Sequence, residues 1–276
     1  MNKWYLLFLL CWLIMTPLTA QDSLWQAVDE GLFLGEFDSP QKSDIGDSKI
    51  TIIKIDPNYY DFKLLSASAN NDTSLTVPQW AQKYNLLAAV NAGMFQEDLR
   101  TSVGYMKDYD HINNPSLNRN NTVFVFNRAD SAVKPAQIID RTCQDFEDLR
   151  LKYHSMVQSI RMINCRQENV WRQQPKKWSM VVLGMDKEGN ILFIFTRSPY
   201  SVHDFINILL RLPISIYNAM YLEGGPEATL YFSAQNIQFE KFGSFETAFM
   251  EHDDINAAWP VPNVLGIVKK EIKSEE

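Results

Sequence analysis

The sequence predicts one α/β (α+β) domain, a mixed and largely antiparallel sheet with packed helices, behind a short N-terminal export signal. Three observations carry that expectation. Short β-rich runs bounded by turn residues recur along the chain, and two capped helix starts lie between them. No internal repeat divides the chain, and no linker rich in Gly, Ser or Pro does so either. The third is composition: 46% of residues are apolar and 12% aromatic, enough for a substantial core.

The N-terminus comes first. Lys3 supplies a positive charge, residues 4–15 are continuously apolar, and Thr16-Pro17-Leu18-Thr19-Ala20 breaks the run before Gln21. That is the charge, apolar stretch and small residue of a cleavable signal over residues 1–20, leaving 21–276 as the domain. The stretch is shorter than the roughly 20 residues a membrane-crossing helix needs. An uncleaved anchor is the alternative, since Leu18 rather than a small residue stands two before Ala20. Leu10 before Cys11 argues against a lipid-attachment site. The expected location is periplasmic or secreted, with no membrane span after cleavage.

Residues 24–43 read as an opening strand or loop. Runs at 49–55 and 62–67, split by Asp56-Pro57-Asn58, read as a hairpin. Thr76 with Pro78 marks a helix start, and Leu87-Ala88-Ala89-Val90 is a short buried strand. Further strands are expected at 102–106, 122–126, 136–139, 156–163, 180–185 and 191–195, with a helix near 143–154. Asp186-Lys187-Glu188-Gly189-Asn190 is a hairpin turn. Ser201 followed by Asp204 caps a helix carrying Phe205, Ile208, Leu209 and Leu212 on one face and stopped by Pro213. Strands at 219–222 and 228–232 flank a glycine turn.

Charge and metal-binding residues narrow the function. A net charge of −7, with no basic run longer than Lys176-Lys177 or Lys269-Lys270, gives no electrostatic reason to bind nucleic acid. Cys143 and Cys165 remain once Cys11 leaves with the signal. In an oxidising compartment they form a disulfide, or else they stay buried free thiols. Neither has metal-ligand spacing, and His111, His154, His203 and His252 are dispersed, so no metal site is expected. No Gly-Lys-Ser/Thr loop or Gly-x-Gly-x-x-Gly follows a strand, so no motif requires a cofactor. The acid-rich glycine turn does hold the oxygen ligands that calcium takes.

Two segments share one pattern, a buried strand ending in a polar residue and glycine. They are Val90-Asn91-Ala92-Gly93-Met94-Phe95 and Leu222-Glu223-Gly224-Gly225-Pro226-Glu227. Glycine at a strand end admits a ligand close to the backbone, and a rigid sheet holds the polar group in place. The plain alternative is a tight turn with a capping acid.

These motifs resemble the phosphodiester glycosidase family. Asn91-Ala92-Gly93-Met94-Phe95 is similar to its Asn-Gly-Gly-(Tyr/Met/Phe)-Phe, and the turn from Asp98 into Gly104-Tyr105 resembles its Gly-containing strand. Gln158-Ser159-Ile160-Arg161 resembles Gln-Ser-Gly-Pro, and Leu222-Glu223-Gly224-Gly225 resembles Leu-Asp-Gly-Gly. Departures are Glu223 for Asp, Pro226-Glu227 for Gly-Ser, Ala92 for Gly, and Lys176-Lys177 where members carry an arginine.

The resemblance implies an exported hydrolase that cleaves a sugar-1-phosphodiester in an envelope or surface glycoconjugate. Its partner would be a carbohydrate or sugar-phosphate. A non-catalytic carbohydrate-binding protein on the same fold and an ordinary glycoside hydrolase are the alternatives. Phosphate is already a good leaving group, so the demands are a carboxylate for the oxocarbenium-like centre and a grip on the phosphate oxygens. Glu223 and Glu227, four residues apart, are the expected catalytic pair. Asn91, Gly93, Gly224 and Gly225 are expected to bind substrate. Arg100 and Arg161, with Arg197 as a third candidate, are expected to hold phosphate. Trp178 and Tyr105 are candidates for stacking on a sugar ring.

Overall fold

The computed structural model describes residues 24–70 and 73–271, and the expected signal at 1–20 lies outside the described residues. In chain order, β1 (Gln26–Asp29), β2 (Leu32–Asp38), β3 (Lys49–Ile55) and β4 (Tyr60–Ser66) lead to α1 (Ala67–Asn70) and α2 (Val77–Lys83). Next come β5 (Ala88–Asn91), β6 (Met106–Asp108), β7 (His111–Asn114), β8 (Thr122–Arg128), β9 (Ala136–Asp140) and α3 (Phe146–Leu149). The second half holds β10 (Tyr153–Ile163), β11 (Trp178–Asp186), β12 (Ile191–Tyr200), α4 (Val202–Arg211), β13 (Ile216–Gly224), β14 (Thr229–Ala234), β15 (Ile237–Phe242) and β16 (Asn263–Lys269).

The strands form two sheets. One runs β1-β2-β3-β12-β11-β13-β10-β6-β7, with β8 and β9 attached through β10, and the other runs β15-β14-β5-β16-β4. Every pairing among the described strands is antiparallel. Side chains alternate across each strand, and this alternation builds the layers. Ile53, Val181, Leu183, Phe193, Met220 and Leu222 point between the sheets, onto Phe62, Val90, Leu230, Phe232 and Leu265. Ile52, Val182, Ile194 and Ala219 point outward and are covered by Val202, Phe205, Ile206 and Leu209 of α4. On the opposite side, Ala89, Tyr231 and Val264 are covered by Val77, Trp80 and Ala81 of α2. The order of layers is helix, sheet, sheet, helix.

Both covering helices start where capping chemistry puts them. Thr76 accepts from the Gln79 backbone and Gln79 reaches back to Thr76, closing a capping box for α2. Ser201 accepts from the Asp204 backbone at 3.1 Å and starts α4, which then buries Phe205, Ile208 and Leu209. Each such fully buried side chain contributes roughly 1.5–3 kcal/mol.

Some expectations need correction. β3 and β4 are not a hairpin: β3 bonds to β2 and β12, whereas β4 bonds to β16 in the other sheet. The turn between them crosses the sandwich, so their apolar faces stack instead of sharing a ladder. The expected helix at 143–154 shrinks to α3 and one 3₁₀ turn (Arg150–Lys152), because Tyr153 already pairs with Arg128 in β10. The strand expected at 102–106 begins at Met106. β7, β15 and β16 were not foreseen.

Cys143 and Cys165, 22 residues apart in sequence with Cα atoms 6.6 Å apart, are joined as a disulfide enclosing β10. Closing a loop of that length in the unfolded chain stabilises by about 3 kcal/mol. Cys143→Ser, compared with the oxidised parent in urea unfolding, is expected to lose stability of that order. An unchanged midpoint and slope would show that the bridge contributes nothing.

Candidate active site

The site grows from the end of β13, a central strand flanked by β11 and β10. Against β11 the register slips: Val181 faces Glu223 while Val182 faces Tyr221, leaving Leu222 as an extra residue. Such a bulge bends the strand and re-aims the residues beyond it. The chain then passes through extended Gly224 into Gly225, at φ 65°, and one 3₁₀ turn (Gly225–Glu227). A Cβ on Gly224 would run into the Tyr221 hydroxyl and the Trp178 indole, and one on Gly225 would lie 2.5 Å from Glu246 Oε2. Neither position has room for a side chain, and Gly225 also occupies the left-handed region that glycine tolerates best.

Asn91, at the end of β5 in the other sheet, fixes this turn. Its Nδ2 donates to the Glu227 carbonyl and its Oδ1 accepts from the Thr229 N–H, both at 2.8 Å. The side chain is buried, with both ends of its amide bonded to backbone.

A cavity of about 360 Å³ opens beside the turn. Glu223, Glu227 and Glu246 face it, with Trp178 and Tyr221 on one wall and Met94, Phe95 and Val103 on the other. Glu246 comes from the loop after β15, which is stitched to the start of β11. Ser179 Oγ accepts from Ser244 N at 3.0 Å and Phe245 N at 3.3 Å, and it donates to the Arg197 carbonyl at 2.6 Å. Ser179 N donates to the Phe245 carbonyl at 2.9 Å. The Trp178 indole lies edge-on to the Tyr221 ring at 6.4 Å, and its buried Nε1 has no hydrogen-bond partner among the described residues.

Burial dominates the electrostatics. It lifts Glu223 from the ordinary 4.5 to about 8; the Gly224 N–H on Oε1 opposes the rise, and the charges of Glu227 and Glu246 add to it. Glu223 keeps part of its surface open to the cavity, yet protein surrounds its carboxyl group. Burial also raises Glu227, with repulsion from Glu246, and raises Glu246, where Lys176 opposes. The Tyr221 phenol is pushed well above its usual value by burial and then by Glu223. Burial and mutual repulsion oppose ionisation of all three, and Glu223, raised to about 8, keeps its proton at neutral pH. It is placed as a proton donor beside two further carboxyls, the pairing that general acid–base chemistry uses.

Of the residues singled out in the sequence, Glu223, Glu227 and Gly224 line this cavity, and Gly225 shapes the turn beneath it. Gly93, at φ 116°, makes the turn that carries Met94 and Phe95 to the wall but does not line the cavity. Asn91 does not offer itself to a sugar, because both ends of its amide are spent on backbone. The arginines also lie elsewhere. Arg100 is exposed and donates to the Ala67 carbonyl at 3.2 Å. Arg197 binds Asp253 and the carbonyls of Phe242 and Ile255. Arg161 is paired with buried Asp140 at 2.8 Å. Tyr105 packs in the core, whereas Trp178 lines the cavity together with Tyr221 and Phe95. Glu246 was missed: Gly243 and Ser244 follow β15 just ahead of it, but that strand is only half-buried and has no buried apolar run to mark its end as a site.

Among the described residues, the group of three or more His, Cys, Asp or Glu with ligand atoms within 4.8 Å of one another is Asp140, Cys143 and Cys165. Two of these are consumed by the disulfide. The glutamate oxygens do not form such a cluster, so they are not set as a close cage for calcium.

The structure is a two-sheet scaffold with acids gathered in a pocket at a central strand end, and the comparisons give its family. The phosphodiester glycosidase family model matches residues 84–268, which include every residue lining the glutamate cavity, and the chain belongs to that family. The catalytic domain of zebrafish N-acetylglucosamine-1-phosphodiester alpha-N-acetylglucosaminidase, auto-inhibited by its pro-peptide, superposes with a TM-score of 0.62 at 14% identity. That match covers 89% of this chain and 86% of the zebrafish one. A hypothetical protein from Synechocystis gives 0.57 at 14% identity, over 87% of this chain and 62% of that one. At this identity the likeness concerns the fold. No curated protein matches the sequence.

The raised Glu223 has a sign that can be measured. The folded chain holds its proton up to about pH 8, whereas an unfolded glutamate releases it near 4.5. Between those values the folded state binds the extra proton, so stability contributed here falls as pH rises, by at most about 1.4 kcal/mol per pH unit. The stability of the parent minus that of Glu223→Gln is therefore expected to decline across this window in chemical unfolding. A flat difference would contradict the assignment.

Proposed function

We propose that the chain is an exported hydrolase that cleaves a sugar-1-phosphodiester in an envelope or surface glycoconjugate. The observation that carries this reading is the buried cluster of Glu223, Glu227 and Glu246 beside Trp178 and Tyr221, in a chain of the phosphodiester glycosidase family. A role in binding alone gives no reason to gather three mutually repelling acids in a pocket that raises all their pKa values. A catalyst needs both protonation states at hand.

In this reading the sugar ring rests against Trp178, whose indole N–H lies buried beside the Tyr221 phenol. Glu223, protonated at neutral pH, donates to the bridging oxygen of the departing phosphate as the C1–O bond breaks. Glu227 is less strongly raised and ionises first. It stabilises the positive charge at C1 and takes a proton from the water that adds there. The products are a free sugar and a phosphomonoester.

The decisive assay is release of free sugar and phosphomonoester from a model N-acetylglucosamine-1-phosphodiester by the mature protein. Glu223→Gln is expected to lower kcat by about 10²–10⁴-fold. Full activity in that variant would remove Glu223 from the mechanism. Absence of turnover in the parent, with affinity unchanged by Glu223→Gln, would favour a carbohydrate-binding protein.

Export is part of the same proposal, supported by the signal-like pattern of residues 1–20 and by a disulfide of the kind oxidising compartments sustain. N-terminal sequencing of protein recovered from the periplasm or medium is expected to begin at Gln21. A retained Met1 in cytoplasmic material would refute it.

A further inference from the structure

The glutamate cavity lacks a cation on its wall, although a phosphodiester carries negative charge into it. A second cavity, of about 380 Å³, has the complementary character. It is lined by Arg119, Arg161, Arg172, Trp171, Ile160 and Gln174 among others, and none of its lining residues is Asp or Glu.

The two cavities share a wall. Ile160 lies directly opposite Tyr221 across the β10–β13 pair, so both side chains project from one face of the sheet. The Trp171 ring centre is 6.3 Å from that of Tyr221, which also lines the glutamate cavity. Ile160, Trp171, Trp178 and Tyr221 belong to one apolar cluster, which separates the acids on one side from the guanidiniums on the other.

The second cavity is held open by its own bonds. Arg161 Nη1 bonds both oxygens of Asp140, at 2.8 and 3.1 Å, and Thr142 Oγ1 at 2.7 Å. Asp140 also accepts from Cys165 N, next to the disulfide. Trp171 Nε1 donates to the Arg161 carbonyl at 2.7 Å. Arg141 Nη1 bonds the carbonyls of Asn118 and Asn120, fixing the loop that carries Arg119.

Donors are nevertheless left over. Arg161 Nε and Gln174 Nε2 are buried and without a partner among the described residues. Arg119 and Arg172 are exposed at the cavity, and neither makes an ion pair among the described residues. Buried N–H groups without acceptors cost free energy until something accepts from them. Guanidiniums grouped around such donors match phosphate oxygens in charge and geometry.

We propose that this cavity is a phosphate subsite for the aglycone side of the substrate, so that the scissile bond lies among the glutamates and a further phosphate among the arginines. This rests on the hydrolase reading for its substrate but not for its test. The phosphate bound there is the next along a phosphate-bearing glycopolymer, because the one being cleaved lies at Glu223 on the other side of the apolar wall.

The probe is glycerol phosphate, titrated by calorimetry into the mature, disulfide-bonded protein, with glycerol as the neutral control. Binding is expected for the phosphate and not for glycerol. Arg119→Ala and Arg172→Ala, both at exposed positions, are each expected to weaken it about tenfold, as loss of one charged hydrogen bond implies. No binding by the parent, or unchanged affinity in both variants, would overturn the subsite. Arg-dependent binding without any sugar release would refute the hydrolase reading and leave the subsite standing. The same variants, tested on substrates with one phosphate and with two, separate the sources. A raised KM confined to the doubly phosphorylated substrate is expected, and a KM raised equally on the single phosphodiester would overturn the assignment to the next phosphate.

Discussion

The amide of Asn91 holds the two halves of the molecule in register at the point where the acids meet. β13 belongs to one sheet and β14 to the other, and the glycine turn between them is where the chain crosses the sandwich. Asn91 sits on β5, the neighbour of β14, and its two hydrogen bonds grip the backbone on either side of Ala228. Glu223 lies before this clamp and Glu227 beneath it, so their relative placement depends on the packing of the sheets. Buried donors and acceptors held this way are costly to lose, and this gives the turn its stiffness.

That stiffness offsets a local conflict. Three carboxyl groups in an apolar surrounding disfavour one another's ionised forms and the folded state above the acid range. The scaffold can carry this because the surrounding layers are so well buried: both faces of the central strands are covered, one by the opposing sheet and one by α4. Destabilised sites resting on over-determined frames are a general feature of binding and catalytic pockets.

Much of this was legible in the primary structure, and the failures have physical causes. Glu223, Gly224 and Glu227 stand within one short segment, so local reading was enough to bring them together. Glu246 reaches the same cavity through backbone bonds to Ser179 and Lys177, which are far away in sequence and leave no local mark. The misread hairpin has a different origin. Strands buried on both faces have near-continuous apolar runs, which look the same whether the next strand hydrogen-bonds beside them or stacks above them. Arginines were chosen by residue type, and type does not reveal that Arg197 is wholly occupied by carbonyls and Asp253, or that Arg161 faces a separate hollow.

Glu246 has one more consequence. It comes from a loop with its own attachment to β11, whereas the other two acids come from the turn clamped by Asn91. The loop is also tied to that turn, through the Gly243 N–H on the Ala228 carbonyl at 2.7 Å, so the group that modulates proton affinity and the groups proposed to act on the substrate are held against one another. A Cβ on Gly243 would run into the Gly225 carbonyl oxygen, so a change at the base of the loop is felt in the turn. Adaptation to a more acidic or more alkaline surrounding would then fall to the side chain at position 246 itself, with the packing of Gly243 and Ser244 kept.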